Sequence, residues 1–160
     1  NADGDLNKQR TLDIIQRLLE KGYILDKAYE YTAINPEIAK KKFVYDKHIK
    51  GYFGSDETKL EQEYYDIIIF QGCMTCAPYG GECSIYNWPD TIEIICKSLK
   101  KGGLFINPAK CYWDGDGNNI RNKIETVFAF LGAEYIEYIF EDGDYLIRAE
   151  IWQRAKNREC

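Results

Sequence analysis

At 160 residues the chain is long enough for one domain with a proper core and too short for two of ordinary size. Its 45% hydrophobic and 29% charged content is ordinary for a globular protein, and no apolar run approaches the roughly 18 residues needed to cross a bilayer. The formal net charge of -5 provides no field for a phosphate backbone and argues against nucleic acid as a partner; Lys40-Lys41-Lys42 is a small basic patch or the solvated end of a helix.

After Asp3-Gly4-Asp5, the segment LNKQRTLDIIQRLLEKG sets Leu6, Leu12, Ile15, Leu18 and Leu19 near one face at helical spacing, with Gly22 as the stop. Tyr23 to Ile34 (YILDKAYEYTAI) is rich in aromatic and β-branched residues and predicts a strand. Asn35-Pro36 ends it before a short helical piece, Glu37 to Lys41. Phe43 to Tyr45 predicts another short strand, and Asp56 to Glu63 a poor helix in a polar region. Asp66 to Phe70 (DIIIF) has no polar alternation, so it predicts a strand wet on neither face.

Trp88 to Lys101 predicts a helix with Pro89 in its first turn and Gly102-Gly103 as its end, followed by the strand Leu104-Phe105-Ile106. The loop Tyr112 to Asn119 (YWDGDGNN) leads to a helix from Ile120 to Leu131 that stops at Gly132. YIEYIFEDGDYLIRAEIW then predicts two strands turning at Asp142-Gly143. Strands separated by helices imply parallel pairing, and the closing hairpin adds an antiparallel edge. The expected fold class is α/β: a doubly wound, mostly parallel sheet with a C-terminal antiparallel hairpin and helices on both faces, in a single domain over residues 1–160.

Met74 is the only methionine, and nothing near Asn1 has the basic-then-apolar pattern of a signal peptide, so a fragment or processed chain is expected. The six cysteines, Cys73, Cys76, Cys83, Cys96, Cys111 and Cys160, are too sparse and irregular for a disulfide-stapled miniprotein; reduced thiols and a cytoplasmic location are expected. Cys73, Cys76, Cys83 and Cys111 allow a zinc or metalloid site. However, only one C-x2-C knuckle is present, a redox pair at Cys73 and Cys76 lacks the helix N-terminus such pairs use, and ordinary loop thiols account for them more simply. No bound metal is expected. Cys96, on the apolar face of IEIICKSL, reads as a core residue. His48 is the only histidine, which leaves little for triads or zinc-hydrolase chemistry.

From Tyr65 onward, YDIIIFQG, then IEIICKSLKKGGLFINP, then a helix ending FLGA and the pair YIEYIFEDGDYLIRAEIW resemble, in their order, the class I S-adenosylmethionine-dependent methyltransferases. Asp3-Gly4-Asp5-Leu6 and Asn35-Pro36 fall where the looser variants similar to histamine N-methyltransferase carry a glycine-containing start to the first helix and an acid-Pro pair. The family's first strand and most of its glycine-rich loop would precede residue 1, and Asn35 stands where the family has an acid.

The resemblance implies S-adenosylmethionine as cofactor, a small-molecule substrate, and catalysis by positioning and desolvation. It implies cofactor contacts from Asp3, Gly4 and Asp5 at the start of the first helix, from Asn35, from Asp46 toward the adenine amino group, and from Gln71 and Gly72 beside the methyl group. Gln71 and Tyr79 are the implied catalytic residues, and Tyr112 and Trp113 the substrate-binding ones, among loop aromatics suited to a planar or cationic acceptor. Plainer alternatives stand beside these: an N-cap at Asp3-Gly4-Asp5, a surface ion pair of Asp46 with Lys47, a loop amide at Gln71, and packing for the aromatics. A partner chain or a preceding segment would complete the sheet. The alternative functions are a non-catalytic subunit of the same family and a thiol-rich metal-binding domain.

Overall fold

The computed structural model describes residues 4–26, 29–35, 46–50, 58–70, 88–108, 117–140 and 143–160. Helix α1 (Gly4–Glu20) forms where the apolar spacing predicts it, burying Ile14, Ile15 and Leu18 while Leu12 stays exposed. It ends in a Schellman motif. Gly22, at φ 77, donates its N–H to Leu19 O (3.1 Å), and Tyr23 donates to Leu18 O (2.9 Å), a left-handed turn that glycine makes without a Cβ penalty.

Strands β1 (Thr32–Asn35) and β2 (Lys47–Lys50) pair in parallel, Thr32 opposite Lys47 and Asn35 opposite Lys50. There follow β3 (Tyr65–Ile69), α2 (Trp88–Ser98), β4 (Leu99–Pro108), α3 (Gly117–Val127), β5 (Phe128–Phe140) and β6 (Gly143–Arg154). The last four strands form one sheet in the order β3-β4-β6-β5. β3 and β4 are parallel, whereas β6 runs antiparallel to both of its neighbours, β4 and β5.

Alternation along these strands divides the core in two. Leu104 and Ile106 of β4 share a cluster with Ile136, Ala149 and Ile151, against which α1 packs Ile14, Ile15 and Leu18. Phe105 points to the opposite face, into a cluster with Phe70, Phe128 and Trp152 beneath Ile92, Ile95 and Cys96 of α2 and Ile124 of α3. Its ring meets Phe70 edge-on at 5.4 Å and Phe128 at 5.7 Å. Truncating Phe105 to Ala would cost roughly 3–5 kcal/mol.

These pairings correct the expected fold class. The doubly wound, mostly parallel α/β sheet with helices on both faces is not what forms: two of the three pairings in the four-stranded sheet are antiparallel, β1 and β2 make a separate pair, and three helices are present among the described residues. The helical cover is uneven, α2 and α3 over one cluster and α1 alone over the other, so strands and crossover helices do not alternate in layers. The physical reason lies in the length of β4, β5 and β6, which span 10, 13 and 12 residues and satisfy their backbones mainly by antiparallel pairing.

Local expectations shift with it. Helix α3 ends at Val127, and Phe128 to Leu131, predicted as helix, instead opens β5 with Phe128 opposite Arg154 and Phe130 opposite Trp152. A short apolar run has no decisive period, so the partner strand decides. Gly132, the predicted helix stop, follows a register shift in β5. The strand predicted over Tyr23 to Ile34 contracts to Thr32–Asn35, and the described part of Asp56 to Glu63 is not helical. The pieces at Glu37 to Lys41 and Phe43 to Tyr45 lie outside the described residues.

Cys96 is buried, as expected, but it is joined in a disulfide to Cys160 with Cα atoms 5.8 Å apart, where reduced thiols are expected. Among the described residues no helix is long and apolar enough to cross a membrane.

Candidate functional site

β3 and β4 leave the sheet side by side. Ile69 is in register with Ile106, and the Phe70 N–H donates to Ile106 O at 3.0 Å, so Phe70 and Asn107 stand at the carboxyl edge of the parallel pair. In open α/β sheets ligands bind beyond the carboxyl ends of the parallel strands, and β3 and β4 are the parallel pair of this mixed sheet. Asn107 is fully buried and stands opposite Glu150 of β6.

Glu150 has no exposure at all. Its Oε2 accepts from Arg121 Nη1 of α3 and from Arg148 Nη1 of β6, both at 2.6 Å. Two charge-assisted bonds offset the cost of taking one carboxylate out of water. The Arg121 guanidinium also lies 5.4 Å from the Trp152 ring and 5.8 Å from the Phe130 ring, and its Nε reaches Glu125 at 3.2 Å. Among the described residues, Glu150 Oε1 and Trp152 Nε1 are buried without a hydrogen-bond partner. Among the described residues one acceptor and one donor thus remain open near the carboxyl edge of the β3–β4 pair.

None of Asn107, Arg121, Arg148 and Glu150 emerges from the sequence reading. A signal was there: Glu150 sits between Ala149 and Ile151, and strand alternation puts it on the same face as Trp152. An acid between two core aliphatics, sharing a face with a tryptophan, is buried if that face is covered.

The expected site residues are placed as follows. Gly4 and Asp5 open α1, as a helix start at Asp3-Gly4-Asp5 requires. Asn35 closes β1, opposite Lys50. Asp46 stands immediately ahead of β2, and the strand expected before it lies outside the described residues. Its Oδ2 accepts the Tyr31 N–H at 2.7 Å while its own N–H donates to Tyr31 O at 2.9 Å, a reciprocal clasp that aligns β1 with β2. Asn35 and Asp46 therefore occupy opposite ends of this pair, roughly 13 Å apart along the strands. Asp3, Gln71, Gly72, Tyr79, Tyr112, Trp113 and the thiols Cys73, Cys76, Cys83 and Cys111 lie outside the described residues. Among the described residues, no group of three or more His, Cys, Asp or Glu side chains converges as a metal site would.

Tyrosines gather near the β1–β2 pair and β3. Burial, then the Asp46 carboxylate, pushes the Tyr31 phenol above its ordinary pKa. Tyr29 is raised by burial and then by Asp66 and Asp26, and Tyr65 by burial and then by Glu61.

No protein-family model matches the chain, and no curated protein matches it.

Proposed function

We propose that the protein transfers the methyl group of S-adenosylmethionine to a small-molecule acceptor. The observation that carries this reading is the parallel exit of β3 and β4, with α2 between them in the chain, at whose carboxyl edge Asn107 and Glu150 are buried. The ordered resemblance from Tyr65 to Trp152 supports it, as does the antiparallel hairpin of β5 and β6 that closes the chain. Methyl transfer to an oxygen or nitrogen needs the sulfonium methyl in line with the acceptor and shielded from water, so a protein can catalyse it chiefly by positioning.

In this reading the backbone N–H groups opening α1 would hold the cofactor's carboxylate, Gln71 and Gly72 would flank the methyl group, and the open Glu150 oxygen would take a hydrogen bond from the acceptor. A second reading, a non-catalytic domain of the same family, draws on Asp46, whose carboxylate is engaged by the Tyr31 backbone. It draws also on the outer edge of β3, which has no strand partner among the described residues and would be covered by a partner chain or a preceding segment.

Calorimetric titration with S-adenosylhomocysteine separates the two. Micromolar binding that weakens in Gln71→Ala and Asn35→Ala is expected for the enzyme. A folded sample that gives no heat rejects the methyltransferase in favour of the second reading.

A further inference from the structure

At the opposite end of the sheet from Asn107, the turn before β3 is fastened to the end of α2, with Glu63 N–H donating to Lys97 O at 2.8 Å and Tyr64 N–H to Ser98 O at 3.0 Å. Glu63 adopts φ 50, a left-handed conformation unfavourable for a residue with a side chain. Its carboxylate reaches the buried Arg154 at 3.2 Å, and Arg154 in turn donates to Leu99 O. Gln62, Glu63, Lys97, Arg154, Glu159 and Cys160 line an open groove of about 330 Å³. The disulfide forms one part of its wall. Cys160 is half-buried and lines the groove, whereas its partner Cys96 is 1% exposed within the core.

That asymmetry favours attack at Cys160 over attack at Cys96. We propose that the groove is a thiol-exchange site for a low-molecular-weight thiol. The incoming thiolate attacks Cys160 Sγ, the bond to Cys96 Sγ breaks, and Cys96 leaves as a thiolate that takes up the proton given up by the incoming thiol. The product is a mixed disulfide on Cys160. A second molecule of the same thiol then attacks the small-molecule sulfur of that mixed disulfide, releasing Cys160 as a thiol and leaving the oxidised small-molecule disulfide. Two electrons pass from two thiols to the protein pair. Attack at Cys96 is shut off because exchange depends on access to the target sulfur and Cys96 is buried. Exchange also unfastens residues 155–160 from α2, because the disulfide bridges a sequence separation of 64 residues. The inference is independent of methyl transfer and stands or falls without it.

The folded chain is incubated with reduced glutathione, quenched with acid and mapped by mass spectrometry. A reduced thiol forms an adduct only by attacking a disulfide, so the expected result is glutathione on Cys160 and none on Cys96. After full reduction with dithiothreitol, trypsin is expected to cut at Lys156 and Arg158 roughly tenfold faster or more, as local opening of the released segment predicts. Cys160→Ser is expected to show that faster cleavage without reductant and to form no adduct. Glutathione on Cys96, an adduct that forms only in denaturant, both cysteines found as free thiols beforehand, or cleavage unchanged by reduction would each overturn the proposal.

Discussion

Arg121 Nη1 lies 2.6 Å from Glu150 Oε2, joining a partly exposed cation on α3 to a carboxylate on β6 that has no contact with solvent. Arg148 approaches the same oxygen, so the buried charge has two partners that both remain partly hydrated. Losing both should cost far more than losing the carboxylate. Arg121→Ala combined with Arg148→Ala leaves an uncompensated charge in the interior and is expected to destabilise by roughly 3–5 kcal/mol, whereas Glu150→Gln should cost about 1–2 kcal/mol. Urea denaturation of the two variants checks the order. A larger loss in Glu150→Gln would show that the carboxylate is not held as described.

Gly103 is closed in by backbone. A Cβ there would meet Lys100 O at 2.8 Å, Asp66 O at 3.0 Å and Leu99 Cδ2 at 3.1 Å, in the stretch where β4 lies against β3. Gly103→Ala is expected to destabilise by roughly 1–3 kcal/mol, because carbonyls in a paired sheet do not give way. Gly132→Ala meets only the Tyr23 hydroxyl end, at 2.3 Å, and that side chain can swing aside. Its thermal midpoint should fall by less than that of Gly103→Ala.

Asp46 can be divided between its structural and cofactor roles. Asn retains an acceptor for the Tyr31 N–H and Ala does not, so Asp46→Asn should keep nearly full stability while Asp46→Ala loses about 1 kcal/mol. If the charge also contacts the adenine amino group, S-adenosylhomocysteine affinity falls in both variants. Unchanged affinity in Asp46→Asn would confine this residue to its clasp on β1.

Stability should fall at alkaline pH. Tyr29, Tyr31 and Tyr65 hold their phenol protons above the ordinary value of 10.0 in the folded chain, through burial first and neighbouring carboxylates second. Unfolding returns them to that ordinary value. Their contribution is therefore fully present below pH 10 and is lost as pH rises through the folded values, because the unfolded chain ionises first. Urea midpoints between about pH 9 and 11 should decline, and the decline should be shallower in Tyr31→Phe; tyrosinate absorbance follows the ionisation directly.

The legible parts of the fold were those with a strong local period or stop. In α1 the spacing of Ile15 and Leu18 and the glycine at position 22 agreed, and DIII lies in a strand, but that strand is at the sheet edge with Ile67, Ile68 and Ile69 only half-buried, where burial on both faces was expected. FAFL failed because four apolar residues fit helix and strand alike, and only pairing with β6 distinguishes them. Of the candidate site, Gly4 opens the helix that was expected, whereas the Glu150 cluster went unseen because its members are scattered between positions 107 and 150. Cys96 was recognisable as core, but its bond to Cys160 was not, since a covalent partner 64 residues away leaves no mark in either local sequence.

By itself the sequence determined where the chain forms its apolar helix faces, the strand that begins near Asp66 and its closing hairpin, because these follow from side-chain period and from residues within a few positions. Tertiary structure alone decided that β6 inserts between β4 and β5, that one carboxylate is buried between two guanidiniums, and that the segment after β6 is tied to α2. Each of these depends on backbone hydrogen bonds, charges or thiols brought together from distant positions, and the cost or gain of such a contact exists only once the intervening chain has folded.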